Sequence, residues 1–290
     1  MAVYEQTYKR YQGFLTPEWS RFLVLPRYAF RDVFKGRLFA IFFTLCFLPP
    51  FAGLLMIYLH HNMSALSALG LPAEELKRML PIDAEFFWRG LWVQGGLTFA
   101  ITLLVGPALV APDLRNNGLA LYLSRPFSRA EYVLGKMFVL IALLSLLTWI
   151  PGLLLFLFQS YLEGGGWMMD NLRIAGALFT GSWMWILMLS LLAMVVSATV
   201  KWKPVARVAL MAIFFVLMGF GGAINEALDT WWGMLISSWH VIGSIWLSLF
   251  GLEPSNELPP AGPAWVAWTV GCAICLWLLS RRLRAYEVVR

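Results

Sequence analysis

Long apolar stretches alternate with short polar segments along the whole chain. Seven stretches of about 20 residues carry no charged side chain: Leu38–Leu59, Gly90–Pro112, Met137–Leu162, Ile174–Val200, Val208–Asn225, Thr230–Leu252 and Leu258–Ser280. Each is about long enough to cross a hydrocarbon core of roughly 30 Å as an α-helix. This pattern predicts an all-α integral membrane protein with a transmembrane domain over residues 38–280.

The distribution of basic residues decides how many stretches span the membrane. Lys and Arg resist translocation and mark the cytoplasmic side. If Thr230–Leu252 does not span, 18 of the 22 Lys and Arg residues fall on that side. If it does span, the basic tail 281–290 moves to the other side. We therefore predict six transmembrane helices with both termini in the cytoplasm.

The rejected stretch belongs to an outer region, residues 225–263, that contains acids and tryptophans but no Lys or Arg. Tryptophan favours the membrane interface, where the ring is buried and its N–H stays wet. We predict one or two short re-entrant helices here, ahead of the last span. One interpretation is an acidic outer loop with an interfacial Trp belt. The other is an outer gate, with the candidate residues Glu226, Asp229, Trp239 and His240.

The cytoplasmic segment 1–37 predicts an amphipathic helix before the first span. Its basic residues recur at helical spacing, its aromatic residues fall on another face, and Pro26 suits a first helical turn. Such a helix lies on the cytoplasmic leaflet and contacts anionic membrane lipids. The candidate residues for this contact are Arg27, Phe30, Arg31, Phe34 and Lys35.

Composition and motifs give little support to catalysis. The chain is 60% hydrophobic and 13% charged, which excludes an ordinary soluble enzyme. Cys272 and Cys275 form a lone C-x-x-C inside an apolar stretch, which is a poor metal or redox site. The six predicted spans contain no acid and no haem-type histidine pair. We therefore expect no enzyme, no metal and no bound cofactor, and Glu226, Asp229 and His240 are the only cluster for an intramembrane lipid enzyme.

The sequence also indicates where energy for transport would come from. The only Gly-Lys pair, Gly135 and Lys136, has Ala130 and Met137 where a Walker loop needs Gly and Ser or Thr. With no charge inside the spans to drive an ion cycle, a partner would have to supply the energy.

Two proline positions predict interruptions inside spans. Pro49 and Pro50 fall in the first span, and Pro151 with Gly152 falls in the third. Interruptions of this kind free backbone carbonyls within the membrane. A transport site lined by carbonyls therefore stays open as an alternative.

A polar island, residues 111–136, separates the second and third predicted spans. We expect Asp113 to cap a short helix and Ser128 or Arg129 to open the next one, with a turn at Ser124, Arg125 and Pro126. Between them Leu119, Leu121, Tyr122 and Leu123 form a predicted apolar knob, ringed by Arg115, Arg125 and Arg129. One interpretation is that the knob docks into a groove with an acidic rim. The other is that the arginines fix topology and bind lipid phosphate.

The island resembles the loop between the second and third spans of type-two ABC transporter permeases. The resemblance rests on the letters NNG (116–118), LYLSRP (121–126), SR (128–129) and GK (135–136). It implies that the loop couples the chain to a separate nucleotide-binding ATPase subunit, which would hold ATP and Mg²⁺. The implied coupling residues are Asn117, Gly118, Leu121, Tyr122, Leu123, Ser124, Arg125, Pro126, Ser128 and Arg129.

The same resemblance implies an assembly. Two permease protomers and two ATPase subunits would form an exporter in the inner (plasma) membrane of a prokaryote, with no nucleic acid as partner. The apolar spans favour an amphiphilic or lipid-linked substrate. Two other functions stay open: a membrane scaffold or assembly protein that uses the same loop, and an intramembrane lipid-modifying enzyme.

Overall fold

The computed structural model describes residues 24–62, 81–116, 129–253 and 258–282. Over these ranges the chain is helical and contains no strand. Six segments are long and apolar enough to cross a membrane, and we name them the first to sixth span: Arg37–His61, Ala84–Asp113, Ala130–Glu163, Leu172–Thr199, Lys203–Leu228 and Ala261–Arg282. The predicted all-α, six-span architecture is confirmed.

Three of the six spans are continuous helices, and three are interrupted. The second span also contains a 3₁₀ turn, Gly106–Ala108. The individual helices are Val24–Phe34, Arg37–Leu45, Leu48–His61, Ala84–Val105, Ala111–Arg115, Arg129–Leu147, Trp149–Glu163, Gly165–Asp170, Leu172–Thr199, Lys203–Leu228, Ser238–Phe250 and Ala261–Arg282, with a 3₁₀ helix at Trp232–Ile236.

The bundle has two distinct ends. The end at which the third, fifth and sixth spans carry Lys136, Lys203 and Arg281 is called the basic end, and the charge pattern predicts that it faces the cytoplasm. The other end is called the opposite end. There His61, at the end of the first span, lies 3.1 Å from Glu163, at the end of the third, measured from Nε2 to Oε1.

The predicted interruptions are confirmed in both spans, and each lies a few residues before the proline. The first span breaks at Cys46 and the third at Thr148, because the rings of Pro50 and Pro151 clash with the carbonyls four residues earlier, those of Cys46 and Leu147. In the first span Pro50 has no N–H to offer the Cys46 carbonyl. The side chain of Gln94, from the second span, donates to that carbonyl instead, with an Nε2 to O distance of 3.1 Å.

The fourth span is the centre of the bundle. In its most apolar stretch 67% of the residues are buried, whereas the figure is 11% for the first span and 17% for the fifth and sixth. It contacts the second, third, fifth and sixth spans and the helix Ser238–Phe250. The peripheral spans therefore keep apolar surface for lipid or for another protein chain.

The prediction that Thr230–Leu252 does not span is confirmed. The stretch forms the 3₁₀ helix Trp232–Ile236 and the 13-residue helix Ser238–Phe250, here called the Trp-rich helix. At 1.5 Å per residue the latter is roughly 20 Å long, too short for the hydrocarbon core. The interfacial-belt interpretation is wrong for Trp246, which is fully buried in the bundle, whereas Trp232 is 62% exposed.

Candidate functional site

The described residues place the two ends of the predicted coupling loop side by side. The described chain stops at Asn116 and resumes at Arg129, the first residue of the helix Arg129–Leu147. The last eight residues of the island, 129–136, are therefore the first turns of the third span. The other predicted coupling residues lie outside the described residues: Asn117, Gly118, Leu121, Tyr122, Leu123, Ser124, Arg125, Pro126 and Ser128.

An ion pair and a hydrogen bond tie these two ends together. Lys136 Nζ lies 2.8 Å from Asp113 Oδ2, with the two side chains 11% and 17% exposed. The hydroxyl of Tyr132 donates to the same Oδ2 atom at 2.7 Å, and the Lys136 ammonium lies over the Tyr132 ring at 5.7 Å from its centroid. Charged hydrogen bonds in a partly buried place are stronger than surface pairs. Asp113, Tyr132 and Lys136 are here called the loop base.

The expectation that Asp113 caps a helix is wrong. The helix Ala111–Arg115 begins after Val110, and Asp113 lies inside it with its carboxylate turned to the third span. The free N–H groups of Val110 and Ala111 both donate to Ser197 Oγ, at 3.0 and 2.9 Å. This hydroxyl of the fourth span thus takes the capping role. Its position is set by a hydrogen bond that it donates to the Pro107 carbonyl at 3.3 Å.

Exposed basic groups surround the loop base. The Arg115 guanidinium lies 5.6 Å from the ring centroid of Trp202, which follows the fourth span and is 63% exposed. Lys201 and Lys203 flank that ring, and together these residues line a small cavity of about 240 Å³. An aromatic ring among exposed cations is a surface that suits an acidic partner.

The amphipathic helix also lies at the basic end. Val24–Phe34 packs against the third span, with Arg27 and Arg31 exposed and Phe30 half-buried against the core. Phe34 contacts the rings of Phe39 and Phe43 in the first span, with centroid distances of 5.3 and 5.6 Å.

Lys35 follows this helix rather than continuing it. Its ammonium donates to Asp32 Oδ1 at 2.6 Å. This hydrogen bond, with the charge of Lys35, holds the pKa of the Asp32 carboxyl below its ordinary value. The two side chains are well exposed, so the contact fixes the helix end only weakly.

A cavity of about 930 Å³ lies beside this helix at the basic end, on the side where the helix does not pack directly on the spans. Its walls come from the amphipathic helix and from the first, second, third and fifth spans. The charged side chains lining it are Asp32, Asp113, Lys136, Lys203 and Arg207. The helix is therefore fixed along one side only, and the basic end contains room for movement.

The predicted outer-gate residues occupy different environments at the opposite end. Glu226 and Asp229 are exposed at the end of the fifth span, where Asp229 ends the helix in a left-handed conformation with φ of 47°. Trp239 packs edge-on against Trp92 of the second span, with ring centroids 4.7 Å apart. His240 Nδ1 lies 2.8 Å from the Ser237 hydroxyl at the start of the Trp-rich helix.

A cluster of four indole rings holds the Trp-rich helix in place. Trp239 and Trp246 pack against Trp92 and Trp185, with centroid distances between 4.7 and 6.0 Å. The buried N–H of Trp246 donates to the Gly181 carbonyl at 2.9 Å. The buried N–H of Trp185 finds acceptors on the second span in the same way. The two fully buried indoles, Trp185 and Trp246, thus have satisfied N–H groups, and we expect their packing to resist displacement.

Arg173 holds the other end of the Trp-rich helix, and sequence reasoning missed it. Its guanidinium donates to the carbonyls of Ser248 and Leu249 at 2.8 and 2.9 Å, in the last turn, where carbonyls lack donors from a following turn of helix. The Ser248 carbonyl also accepts the Gly251 N–H at 3.3 Å. Gly251, with φ of 73°, ends the helix beside the guanidinium. In the sequence Arg173 stands out only as a single basic residue between two predicted spans, which does not indicate its acceptors.

The described residues offer no metal-type constellation. Within the described ranges no group of three or more His, Cys, Asp and Glu side chains is arranged to hold a metal ion. A scan against protein-family models finds no match for the chain, and a search of curated proteins finds none either. The function is therefore argued from the residues and their geometry.

Proposed function

We propose that this chain is the membrane-spanning permease subunit of an ATP-driven exporter. It would form the translocation path as a dimer, and its residues 111–136 would couple it to separate ATPase subunits. The observation that carries the proposal is the loop base. Because Asp113, Tyr132 and Lys136 join the second and third spans directly, a force applied to the loop between them moves both spans together.

The surface around the loop base supports an acidic partner. Arg115, Lys201 and Lys203 are exposed there beside the Trp202 ring. The loop sequence adds Arg125 and Arg129, and its letters resemble the coupling loop of type-two ABC permeases. A soluble ATPase with acids around an apolar groove would match both the charges and the apolar knob.

The proposed mechanism converts closure of the partner into movement of helices. ATP binding would draw two ATPase subunits together, and each would push on the loop of one permease protomer. The second and third spans would then tilt at the basic end, where the cavity of about 930 Å³ leaves room. At the opposite end the indole cluster would resist the same movement and act as the pivot.

The substrate class follows from the character of the spans. Peripheral spans with large apolar surfaces favour an amphiphilic or lipid-linked molecule that leaves along the dimer interface, past the Trp-rich helix. This chain would bind no nucleotide itself, and ATP with Mg²⁺ would belong to the partner.

Copurification tests the proposal directly. We would purify the tagged chain in mild detergent and identify the bound proteins, comparing wild type with the double variant Arg125→Glu and Arg129→Glu. The matched control is Arg281→Glu with Arg282→Glu, which changes the charge equally at the basic end of the sixth span. A nucleotide-binding protein should accompany wild type and control, and the loop variant should lose it while staying folded.

Reconstitution separates an exporter from a scaffold. In proteoliposomes the wild-type complex should hydrolyse ATP faster when an amphiphilic substrate is present, and the loop variant should not. If no nucleotide-binding protein accompanies the wild type, the permease proposal fails. If one binds but its ATP hydrolysis is independent of this chain, the chain is a scaffold.

A further inference from the structure

A second cavity lies in the opposite half of the bundle, away from the loop base. It has a volume of about 610 Å³ and is enclosed by the first, second and third spans together with Leu178 of the fourth. Cavities that hold small ligands have volumes of roughly 300–1,000 Å³. Its walls are mainly apolar, formed by residues such as Pro50, Met56, Phe86 and Leu155.

The cavity lies beside the interruptions of the first and third spans. Pro50 and Pro151 line it, and each proline displaces its helix just before it. Gly53, Gly90 and Gly152 also line it and place no side chain in the space. The sequence thus opens this volume at the level where the first and third spans bend.

One buried polar atom of the wall lacks a partner. Gln94 is 5% exposed, and its Nε2 donates to the Cys46 carbonyl at 3.1 Å. Its Oε1 atom receives no hydrogen bond from any described residue. A buried amide oxygen without a donor is unfavourable. Gln94 lines the cavity, but its Oε1 atom is itself out of reach of a water-sized group, so a donor in the cavity can bond this atom only after the side chain rotates.

The mouth of the cavity carries both signs of charge. Asp83, Glu85 and Arg89 line it at the opposite end of the second span, and the Arg89 guanidinium pairs with Glu85 at 2.6 Å on the exposed surface. Below them the exposed side of the opening is apolar, with Ala52 and Val93. The opening thus faces lipid hydrocarbon under a polar rim.

The distance between rim and acceptor restricts the ligand further. Gln94 follows Arg89 by five residues, which is about 7.5 Å along a helix. A lipid whose zwitterionic headgroup lies at the rim carries its first amide or hydroxyl at about this depth. The carboxylates suit a cationic headgroup, and Arg89 suits its phosphate.

We propose that this cavity binds one membrane lipid with a zwitterionic headgroup and an amide N–H or hydroxyl at the top of its chain. The acyl chain of the lipid fills the apolar cavity, the headgroup lies at the Asp83, Glu85 and Arg89 rim, and the N–H or O–H donates to Gln94 Oε1 after the Gln94 side chain rotates. The inference requires only that the chain lies in a membrane, so it stands or falls independently of the proposed transport function.

Native mass spectrometry tests this with a matched pair of lipids. Sphingomyelin and phosphatidylcholine share a phosphocholine headgroup, but only sphingomyelin has the amide and hydroxyl. The purified chain would be offered both in equal amounts, with matched chain lengths. Since one net hydrogen bond distinguishes the two, we expect the wild type to retain sphingomyelin about fivefold over phosphatidylcholine.

Two glycines of the second span provide a filling variant and its control. A Cβ on Gly90 or on Gly96 would meet nothing within 4 Å, but only Gly90 lines the cavity. Gly90→Leu should lose both lipids, whereas Gly96→Leu should bind like the wild type. Gln94→Leu should retain both lipids but bind them equally.

Three outcomes would overturn the proposal. The first is equal lipid retention by wild type and Gly90→Leu. The second is a sphingomyelin preference that survives in Gln94→Leu. The third is a wild type that retains neither lipid while Gly90→Leu alters the oligomeric mass, which would assign the cavity to contact with a second copy of the chain.

Discussion

The two ends of the bundle are held together in different ways. In the opposite half of the bundle four indole rings interlock, from Trp185 at the middle of the fourth span outward, and the Arg173 guanidinium binds the last carbonyls of the Trp-rich helix. At the basic end one carboxylate, Asp113, receives the ammonium and the hydroxyl that join the second and third spans. Beside it lies a cavity of about 930 Å³.

In the proposed mechanism this difference determines which end moves. Packed indoles resist rearrangement, because any displacement opens voids and breaks buried N–H bonds. The second and third spans, joined by the loop base beside a cavity, can tilt together with a much smaller loss of packing energy. Tight packing at one end with a polar joint at the other is the arrangement expected of a lever with a fixed pivot.

Truncation of Trp246 should have the largest effect on this comparison. The ring is fully buried and its N–H donates to Gly181, so Trp246→Ala should lower the free energy of unfolding by about 3–5 kcal/mol. Thermal unfolding in detergent would measure the loss. The control is Trp232→Ala, which removes a ring that is 62% exposed and should change stability by less than about 0.5 kcal/mol. Equal effects would mean that the indole cluster does not stabilise the opposite end.

The next largest effect on stability is expected where the Trp246 ring packs directly on Gly181. A Cβ on Gly181 would lie 2.9 Å from Trp246 Cδ1, so Gly181→Ala should push the ring away and cost about 1–3 kcal/mol. Gly176 lies on the same span with nothing within 4 Å, and Gly176→Ala should be neutral or slightly stabilising. Both would be compared by the same unfolding assay. A stable Gly181→Ala variant would indicate that the cluster yields easily and is no pivot.

The large-scale fold was predictable because it depends on local patterns. Apolar length and basic residues gave six spans, and the same reasoning rejected Thr230–Leu252 as a span. Proline positions gave the interruptions of the first and third spans, but the interruption of the second span at Gly106–Ala108 was not predicted. The burial of Trp246 was not predictable, because its Trp spacing suits a membrane interface as well as a bundle core. Gly95 of the second span and Gly181 of the fourth leave the space that the Trp246 ring occupies, and this space makes the ring face the core.

The candidate site was predictable only in its location. The polar island pointed to the basic end, but Asp113 was expected to cap its own helix. Its actual partners, Tyr132 and Lys136, lie on the next span. They are four residues apart and so on the same face of that helix, a spacing that would have suggested one shared acceptor. The role of Arg173 was out of reach, since its acceptors are backbone carbonyls about 75 residues away.

A smaller effect is expected at the loop base. Asp113→Asn keeps an acceptor for Tyr132 but leaves the Lys136 ammonium without its anion, which should cost about 1–2 kcal/mol. A double-mutant cycle with Lys136→Met should give a coupling energy of about 1 kcal/mol. If Asp113→Asn destabilised the chain as much as Trp246→Ala, the two ends would be equally rigid, and the lever comparison would fail.

The smallest effect is expected at Arg173. Arg173→Met removes two hydrogen bonds to the end of the Trp-rich helix, but the guanidinium is exposed and water can replace it, so the loss should be about 1 kcal/mol or less. Amide hydrogen exchange should locate the change in the last turn of the Trp-rich helix. Arg89→Met is the control, because Arg89 pairs only with Glu85 on its own helix among the contacts described for it.

Because the Arg173 acceptors are neutral carbonyls, the effect of Arg173→Met should persist in high salt, unlike that of an exposed ion pair. Exchange that speeds up equally along the whole Trp-rich helix would show that Arg173, rather than the indole cluster, holds this element in place.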